Sequence, residues 1–362
     1  MAKTTKEFCQ QVLRSRMDSF LKKLRSLESK MTGAGVHKTR VDSRRMRATL
    51  DAFQELFPPR PFGAVYREIR SVTRILGGPR EIAVTLGLVR ELEQNELTED
   101  SCLKYLRKKF VARLKKQEKK LQRKLAGIDL PRLRSRLEFL ISVIESDELH
   151  RVRQTGSPAL RVRRRRRISH SSQDTLFPMS ESAVEHAARV FQKVAAPISE
   201  FRTDRQFKAA SDEELHSLRI SAKKVRYAME IFSSAWRGGL KDCIEKARKL
   251  QEAGGKYNDW SVLCRCFNEE IKRLNSSESV HLAFQIGRLA ALAELRKEDL
   301  KVDMREALME LQRGFDVLAG RDRTQLKLKF NAPPMIPAYG PRKKGTRPNE
   351  ASKKVSAKRN SA

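Results

Sequence analysis

VHKTRVDSRRMRATLDAF at residues 36–53 and LHSLRISAKKVRYAMEIF at residues 215–232 match each other without a gap. An offset of 179 positions places His37 on His216 and Arg40 on Arg219, and it also aligns a basic pair and a final arginine. An ungapped match of this kind predicts that the chain contains two related halves.

The matched stretches are predicted to be amphipathic helices. At about 100° per residue, the apolar positions of each copy lie opposite one narrow arc of basic positions. The apolar side is Met46, Leu50 and Phe53 in the first copy and Val225, Met229 and Phe232 in the second. Each helix therefore has a core face and a separate cationic face.

The cationic face suits a polyanion. Arginine offers a planar fork of donors to phosphate oxygens, lysine a compact charge, and histidine a group that gains a proton as an anion approaches. Charge on a helix is commonly only solvated, but its repetition in two copies favours binding. The predicted binding residues are His37, Arg40, Arg44, Arg45, Arg47, His216, Arg219, Lys223, Lys224 and Arg226.

The composition points the same way. The 362 residues include 77 Lys and Arg against 44 Asp and Glu, a net charge of +33. Such an excess favours nucleic acid, anionic lipid or polyphosphate as a partner. Leu and Ala recur at helical spacing and alternating strands are scarce, which predicts an all-α fold. No apolar run approaches the roughly 20 residues of a membrane span, and the first residues lack a secretory signal, so we expect a cytoplasmic protein.

Gly- and Pro-containing breaks predict turns between helices. They lie at residues 57–62, 77–79, 127–131, 156–158, 238–239 and 254–255. An arginine run at 163–167 predicts a mobile basic linker, and Pro, Gly, Ser and Lys after 325 predict a disordered cationic tail. The predicted organisation is a first half at 1–170, a second half at 171–325 and a tail at 326–362.

The repeated His/Arg/Lys helices resemble the CHAD domain, an α-helical family named for its histidines. The resemblance covers the chain to about residue 320. It implies two helical bundles related by pseudo-symmetry, which enclose a basic cleft or pore that binds inorganic polyphosphate. It also implies an association with polyphosphate granules.

The chain departs from the family pattern after the first repeat. The family commonly carries Arg-Asp or Asn-Asp after its Gly-rich turn. The second half has Asn258 and Asp259, whereas the first half has Arg80 and Glu81. The acidic and lysine signature of triphosphate tunnel enzymes, which often accompany CHAD domains, is absent from the sequence.

A further basic helix is predicted at 103–125, where solvated charge and a wall of the anion site are both open interpretations. Its candidate secondary contacts are Lys108, Lys115, Lys116, Lys119 and Arg123. Lys301 and Arg305, on a long helix predicted from about 279 to 318, are weaker candidates.

The sequence contains no phosphate-binding glycine loop, no zinc-protease motif and no carboxylate cluster for Mg²⁺. We therefore expect a binding protein without enzymatic activity, cofactor or metal. The five cysteines are expected to be reduced structural thiols.

RNA or DNA binding is the main alternative function, with the arginine run and the tail as the contact surfaces. Against it, single-strand binding usually uses aromatic platforms, and aromatic residues make up only 6% of the chain. A scaffold that recruits partners through the linker and the tail is a third possibility. The sequence does not determine the oligomeric state.

Overall fold

The computed structural model of the chain describes residues 4–95, 100–145, 182–201, 203–236, 240–274 and 279–321. Almost all of these residues are helical, and an isolated antiparallel bridge joins Thr4 to Ser182. The predicted all-α fold is confirmed. The arginine run at 163–167, the boundary near 170, the turns at 156–158 and 238–239 and the tail lie outside the described residues.

Eleven α-helices are present in the described part of the chain, with a short 3₁₀ helix at Gln54–Leu56. They are α1 (Thr5–Ser29), α2 (Gly33–Ala52), α3 (Pro59–Ile75), α4 (Gly77–Asn95), α5 (Asp100–Leu125), α6 (Leu130–Glu145), α7 (Ala183–Ser199), α8 (Asp204–Ala209), α9 (Asp212–Phe232), α10 (Leu240–Arg273) and α11 (Val280–Arg321). Across these segments, no helix is both long and apolar enough to cross a membrane.

The first described helix of each half begins with the same capping arrangement. Thr4 and Ser182 accept hydrogen bonds from the backbone N–H three residues on, and Glu7 and Glu185 accept from the backbone of the cap. These capping boxes satisfy backbone donors that would otherwise lack partners at a helix start. The bridge between Thr4 and Ser182 places the starts of α1 and α7 side by side.

The predicted breaks at 57–62, 77–79 and 127–131 are confirmed, because α3, α4 and α6 each begin within one of them. The predicted break at 254–255 is wrong, since α10 continues through both glycines. Gly254 is buried, and a Cβ atom there would lie 3.0 Å from Cβ of Arg219 and 3.1 Å from Cε of Met304. The glycine allows a close approach to α9, and packing outweighs its helix penalty of about 1 kcal/mol.

A buried aromatic cluster joins the two halves with pseudo-two-fold symmetry. Phe8 stacks on Phe232 with ring centroids 5.6 Å apart, and His186 stacks on Phe53 at 5.3 Å. An offset of 179 relates the two phenylalanines that end the repeats, and an offset of 178 relates Phe8 to His186. Each half thus contributes a ring that covers the terminal phenylalanine of the other half.

Two apolar clusters form the core, and each contains residues of both halves. The larger cluster contains side chains from α1, α2 and α3 of the first half. It also contains side chains from α7, α9, the first half of α10 and the second half of α11. The second joins α4 and the first half of α5 to the middle of α10 and the first half of α11. Burial of apolar surface therefore holds the repeated helices together.

We expect Phe232→Ala to lower the free energy of unfolding by about 3–5 kcal/mol, because Phe232 is fully buried among rings from both halves. Trp236 and Trp260 lie in different clusters, so urea unfolding followed by fluorescence and by circular dichroism should give one coincident transition. Phe284→Ala is the control, since Phe284 is 63% exposed and should change stability by less than about 0.5 kcal/mol. Two separate transitions would contradict a shared core.

Candidate polyanion site

The repeated helices α2 and α9 pack against each other. Their predicted core faces are confirmed: Met46, Leu50 and Phe53 are fully buried, and so are the matching residues of α9. α9 begins at the N-cap Ser211 with three acidic residues in its first turn, which favour this helix end. The core faces orient the cationic faces of the two helices.

Four matched cations of the two copies form a central cluster. Arg40 and Arg44 of α2 act electrostatically on Arg219 and Lys223 of α9. The offset of 179 relates the two pairs, so the cluster has the same pseudo-symmetry as the aromatic core. The sequence predicted each half of this cluster, and the structure brings the halves together.

Burial and mutual repulsion make the cluster costly when no anion is bound. Burial, with the neighbouring Arg44 and Arg219, lowers the pKa of Arg40 to about 10. Burial, with Arg219 and Arg44, lowers the pKa of Lys223 to about 7. Burial also lowers the pKa of Arg219, although Asp259 opposes that shift.

Four buried guanidinium nitrogens have no hydrogen-bond partner within the described residues. They are the Nε atoms of Arg40, Arg47, Arg219 and Arg226. These arginines occupy two matched positions in each copy. Buried donors are normally satisfied, because each one left without a partner costs about 1–3 kcal/mol. Nε of Arg226 forms an ion pair with Oε1 of Glu230 at 3.5 Å, outside hydrogen-bond geometry. Nε of Arg40 and Nε of Arg219, at matched positions, have neither a hydrogen bond nor an ion pair within the described residues, which indicates a site built for an acceptor from a ligand.

Arg47 and Arg226 lie over tyrosine rings at the edge of the cluster. The guanidinium of Arg47 lies 5.3 Å from the ring centre of Tyr66, and Nη2 donates to its hydroxyl oxygen at 3.2 Å. The guanidinium of Arg226 lies 4.8 Å from the ring centre of Tyr227. These contacts fix the planes of the outer arginines and occupy one face of each tyrosine ring.

Arg45 and Lys224, also predicted as binding residues, face the other repeated helix. Nε of Arg45 donates to Oε2 of Glu230 at 3.2 Å, and Lys224 acts electrostatically on Asp51. The offset of 179 relates Arg45 to Lys224 and Asp51 to Glu230, so these are symmetry-related cross-contacts between α2 and α9. The structure separates this pair from the central cluster.

The two histidines differ in their surroundings. Burial, with Arg80 and Arg40, lowers the pKa of His37. His216 donates from Nδ1 to Oδ1 of Asn258 at 2.6 Å, which leaves Nε2 for another contact. Both imidazoles lie at the amino-terminal end of the basic arc, on exposed residues.

Three charged residues beside the cluster were not predicted as site residues. Arg80 interacts with His37 and Arg40, while Asp259 interacts with Arg219, and Glu81 with Arg40. Burial raises the pKa of Asp259 despite the neighbouring guanidinium. Their places two to four positions after the Gly-Gly pair of each half were the available signal. The two carboxylates balance only part of the positive charge.

A glycine lies next to the guanidinium of the central arginine in each half. A Cβ atom at Gly77 would lie 3.8 Å from Nη2 of Arg40, and one at Gly255 would lie 3.8 Å from Nε of Arg219. Each guanidinium therefore lies along the backbone of the helix that carries the Gly-Gly pair.

The secondary candidates lie elsewhere. Lys108, Lys115, Lys116, Lys119 and Arg123 are exposed on the predicted helix α5. On α11, Lys301 donates to the backbone oxygen of Lys208, and Arg305 pairs with Asp204. None of the electrostatic contacts in the central cluster includes these residues.

The described residues contain no group of three His, Cys, Asp or Glu side chains that could hold a metal ion. All five cysteines are free thiols, and four of them are buried. Burial raises the pKa of the Cys264 thiol to about 12, which makes it a poor nucleophile.

A family model described as the CHAD domain matches residues 7–268. The chain belongs to the CHAD family. A search of curated protein sequences finds no significant match.

The fold of this CHAD domain is similar to two solved structures. One is the crystal structure of the CHAD domain from the plant Ricinus communis, with a TM-score of 0.58, 18% identity, and coverage of 85% of this chain and 92% of the other. The other is PptA from Streptomyces chartreusis, with a TM-score of 0.56, 14% identity, and coverage of 87% of this chain and 100% of the other. At these identities the likeness concerns the fold.

We expect Lys223 to make the stability of the empty CHAD domain depend on pH. The folded lysine, with a pKa near 7, has lost a proton that the unfolded lysine keeps up to its ordinary value of 10.5. The cost of a charged Lys223 in the folded protein is therefore fully present below about pH 7. Between the folded and the unfolded pKa this cost disappears, which adds up to about 1.4 kcal/mol of stability per pH unit.

The free energy of unfolding of the wild type should thus rise between about pH 7 and about pH 10, relative to a Lys223→Met variant. Urea titrations at several pH values measure this difference. Lys224→Met is the matched control, because Lys224 is exposed. Parallel pH profiles for the wild type and Lys223→Met would contradict the assignment.

Proposed function

We propose that this CHAD domain binds linear inorganic polyphosphate, with one chain held between α2 and α9. The observation that carries the proposal is the pair of buried Nε atoms of Arg40 and Arg219, which occupy matched positions in the two copies and have no hydrogen-bond or ion-pair partner within the described residues. Phosphate oxygens are strong acceptors, and charge-assisted hydrogen bonds to them are about twice as strong as neutral ones.

The residues divide into three roles under this proposal. Arg40, Arg44, Arg219 and Lys223 contact the central phosphates from both helices. Arg47 and Arg226 hold the flanking phosphates with their planes fixed by Tyr66 and Tyr227, and His37 and His216 contact the chain at the amino-terminal end of the arc. Arg45 and Lys224 tie the two helices together.

The pseudo-symmetry of the cluster favours an inorganic chain. A linear polyphosphate is identical in both directions, so matched cations related by a two-fold axis meet equivalent groups. Nucleic acid has a direction and exposes bases, which bind sequence-tolerant proteins mainly by stacking on aromatic rings. Tyr227 is buried, and Tyr66 has Arg47 over its ring and also stacks on Phe62 with ring centroids 5.6 Å apart, so neither tyrosine beside the cluster is free to stack on a base.

Binding draws its free energy from neutralising the cluster. The incoming chain releases its counterions and supplies acceptors to the unpaired donors, and it also relieves repulsion between α2 and α9. We propose that the domain acts without catalysis and that its bound polymer can direct it to polyphosphate granules. The proposed limits of the two halves remain 1–170 and 171–325, followed by the basic tail.

The decisive comparison is between long polyphosphate and single-stranded RNA of matched charge, titrated over a range of salt concentrations. The Arg40→Ala/Arg219→Ala variant should lose about a hundredfold in affinity for polyphosphate, because it lacks one buried charged donor from each copy. Its salt slope should fall by about two.

Lys115→Ala/Lys119→Ala is the matched control, since it removes the same charge from an exposed helix face. We expect it to lose less than about threefold in affinity. Equal losses in the two variants, or equal affinity of the wild type for RNA and polyphosphate, would show general charge attraction and refute the proposal.

Polyphosphate binding should also take up protons at about pH 8. The empty protein holds Lys223 largely neutral because its pKa is near 7, and a phosphate beside it restores the charged form. Calorimetric titration in buffers of different ionisation enthalpy measures the uptake, and Lys223→Met should reduce it. Uptake that is unchanged in this variant would place the polymer away from Lys223.

A further inference from the structure

A groove runs between α3 and α6, on elements that carry none of the central cluster. It consists of a cavity of about 400 Å³ and an adjoining cavity of about 270 Å³, which share Arg132 and Arg136. Its α3 side extends from Pro61 to Ile75, a length of about 20 Å at 1.5 Å per residue. Pockets that bind small molecules have volumes of about 300 Å³ or more, so the groove has room for an organic ligand.

One end of the groove is cationic. Arg74, Lys124 and Arg132 line it with exposed side chains that make no ion pair within the described residues. The acidic lining residues are already engaged: Oε2 of Glu68 pairs with Arg136 at 2.8 Å, and Asp129 caps α6 by accepting from the backbone N–H of Arg132. This end therefore has three unpaired cations for an anionic group.

The other end is apolar and carries an exposed aromatic ring. Pro61, Ala64, Val65 and Phe139 line it together with the shared arginines. Phe139 is 53% exposed, although most phenylalanines of this chain are buried. An exposed ring next to arginines is the arrangement that stacks a planar base.

We propose that this groove binds a free nucleoside triphosphate. The phosphates lie at Arg74, Lys124 and Arg132, and the base stacks on Phe139. An inorganic phosphate chain would satisfy the cationic end but leave the apolar end in water. The combination of the two ends distinguishes a nucleotide from the inorganic polymer proposed for α2 and α9.

ATP and inorganic triphosphate are the probes, titrated by calorimetry into the full-length Arg40→Ala/Arg219→Ala variant. This background weakens the α2–α9 cluster, so the outcome does not depend on polyphosphate binding there. ATP should bind at least about tenfold more tightly than triphosphate, because only ATP has a base to stack.

Two variants in that background separate the ends of the groove. Phe139→Ala should weaken ATP about tenfold and leave triphosphate unchanged. Lys124→Ala/Arg132→Ala should weaken both ligands about tenfold or more. Lys115→Ala/Lys116→Ala, on the exposed face of α5, is the charge-matched control and should weaken ATP far less. Far-ultraviolet circular dichroism checks that each variant is folded.

The proposal is wrong if triphosphate binds as tightly as ATP, or if Phe139→Ala leaves ATP affinity unchanged. It is also wrong if ATP shows no binding at millimolar concentration. A short oligoribonucleotide is the third probe. Binding that is much tighter than that of ATP and lost in the same variants would assign the groove to RNA and overturn the proposal.

Discussion

Repulsion between half-buried cations is the constraint on which the rest of this structure depends. Arg40 and Arg44 of one repeated helix act on Arg219 and Lys223 of the other, in a setting dry enough to lower the pKa of Lys223 to about 7. A chain selected only for stability would place carboxylates or apolar groups there. Asp259 and Glu81 balance part of the charge, and the remainder opposes the packing of α2 on α9.

The fold resists this repulsion with contacts on the same two helices. Phe53 and Phe232 end the helices in a cluster where each ring is covered by the other half of the chain. The ion pair of Arg45 with Glu230 and the interaction of Lys224 with Asp51 connect the helices on either side of the axis. Stability is thus spent on a preorganised cationic site, as is common where function requires unsatisfied groups.

Helical periodicity predicted the part of the site that depends on a single helix. It placed Met46, Leu50 and Phe53 in the core and the first arginine of each copy on the opposite face, and the structure has them there. It did not predict that the two cationic faces meet, because that requires tertiary packing. Arg45 is eight positions after His37, outside the arc of the other basic residues, so the angle alone could have separated it from them. The continuous helix through Gly254 could not be foreseen, since the close approach of Arg219 explains it.

The most direct test of the central claim is a crystal structure of the protein with a bound linear oligophosphate. The account predicts one chain that crosses the pseudo-two-fold axis, with phosphate oxygens within hydrogen-bond distance of both Arg40 and Arg219. A chain bound to one repeat alone, or along the exposed lysines of α5 with the central cluster empty, would contradict it.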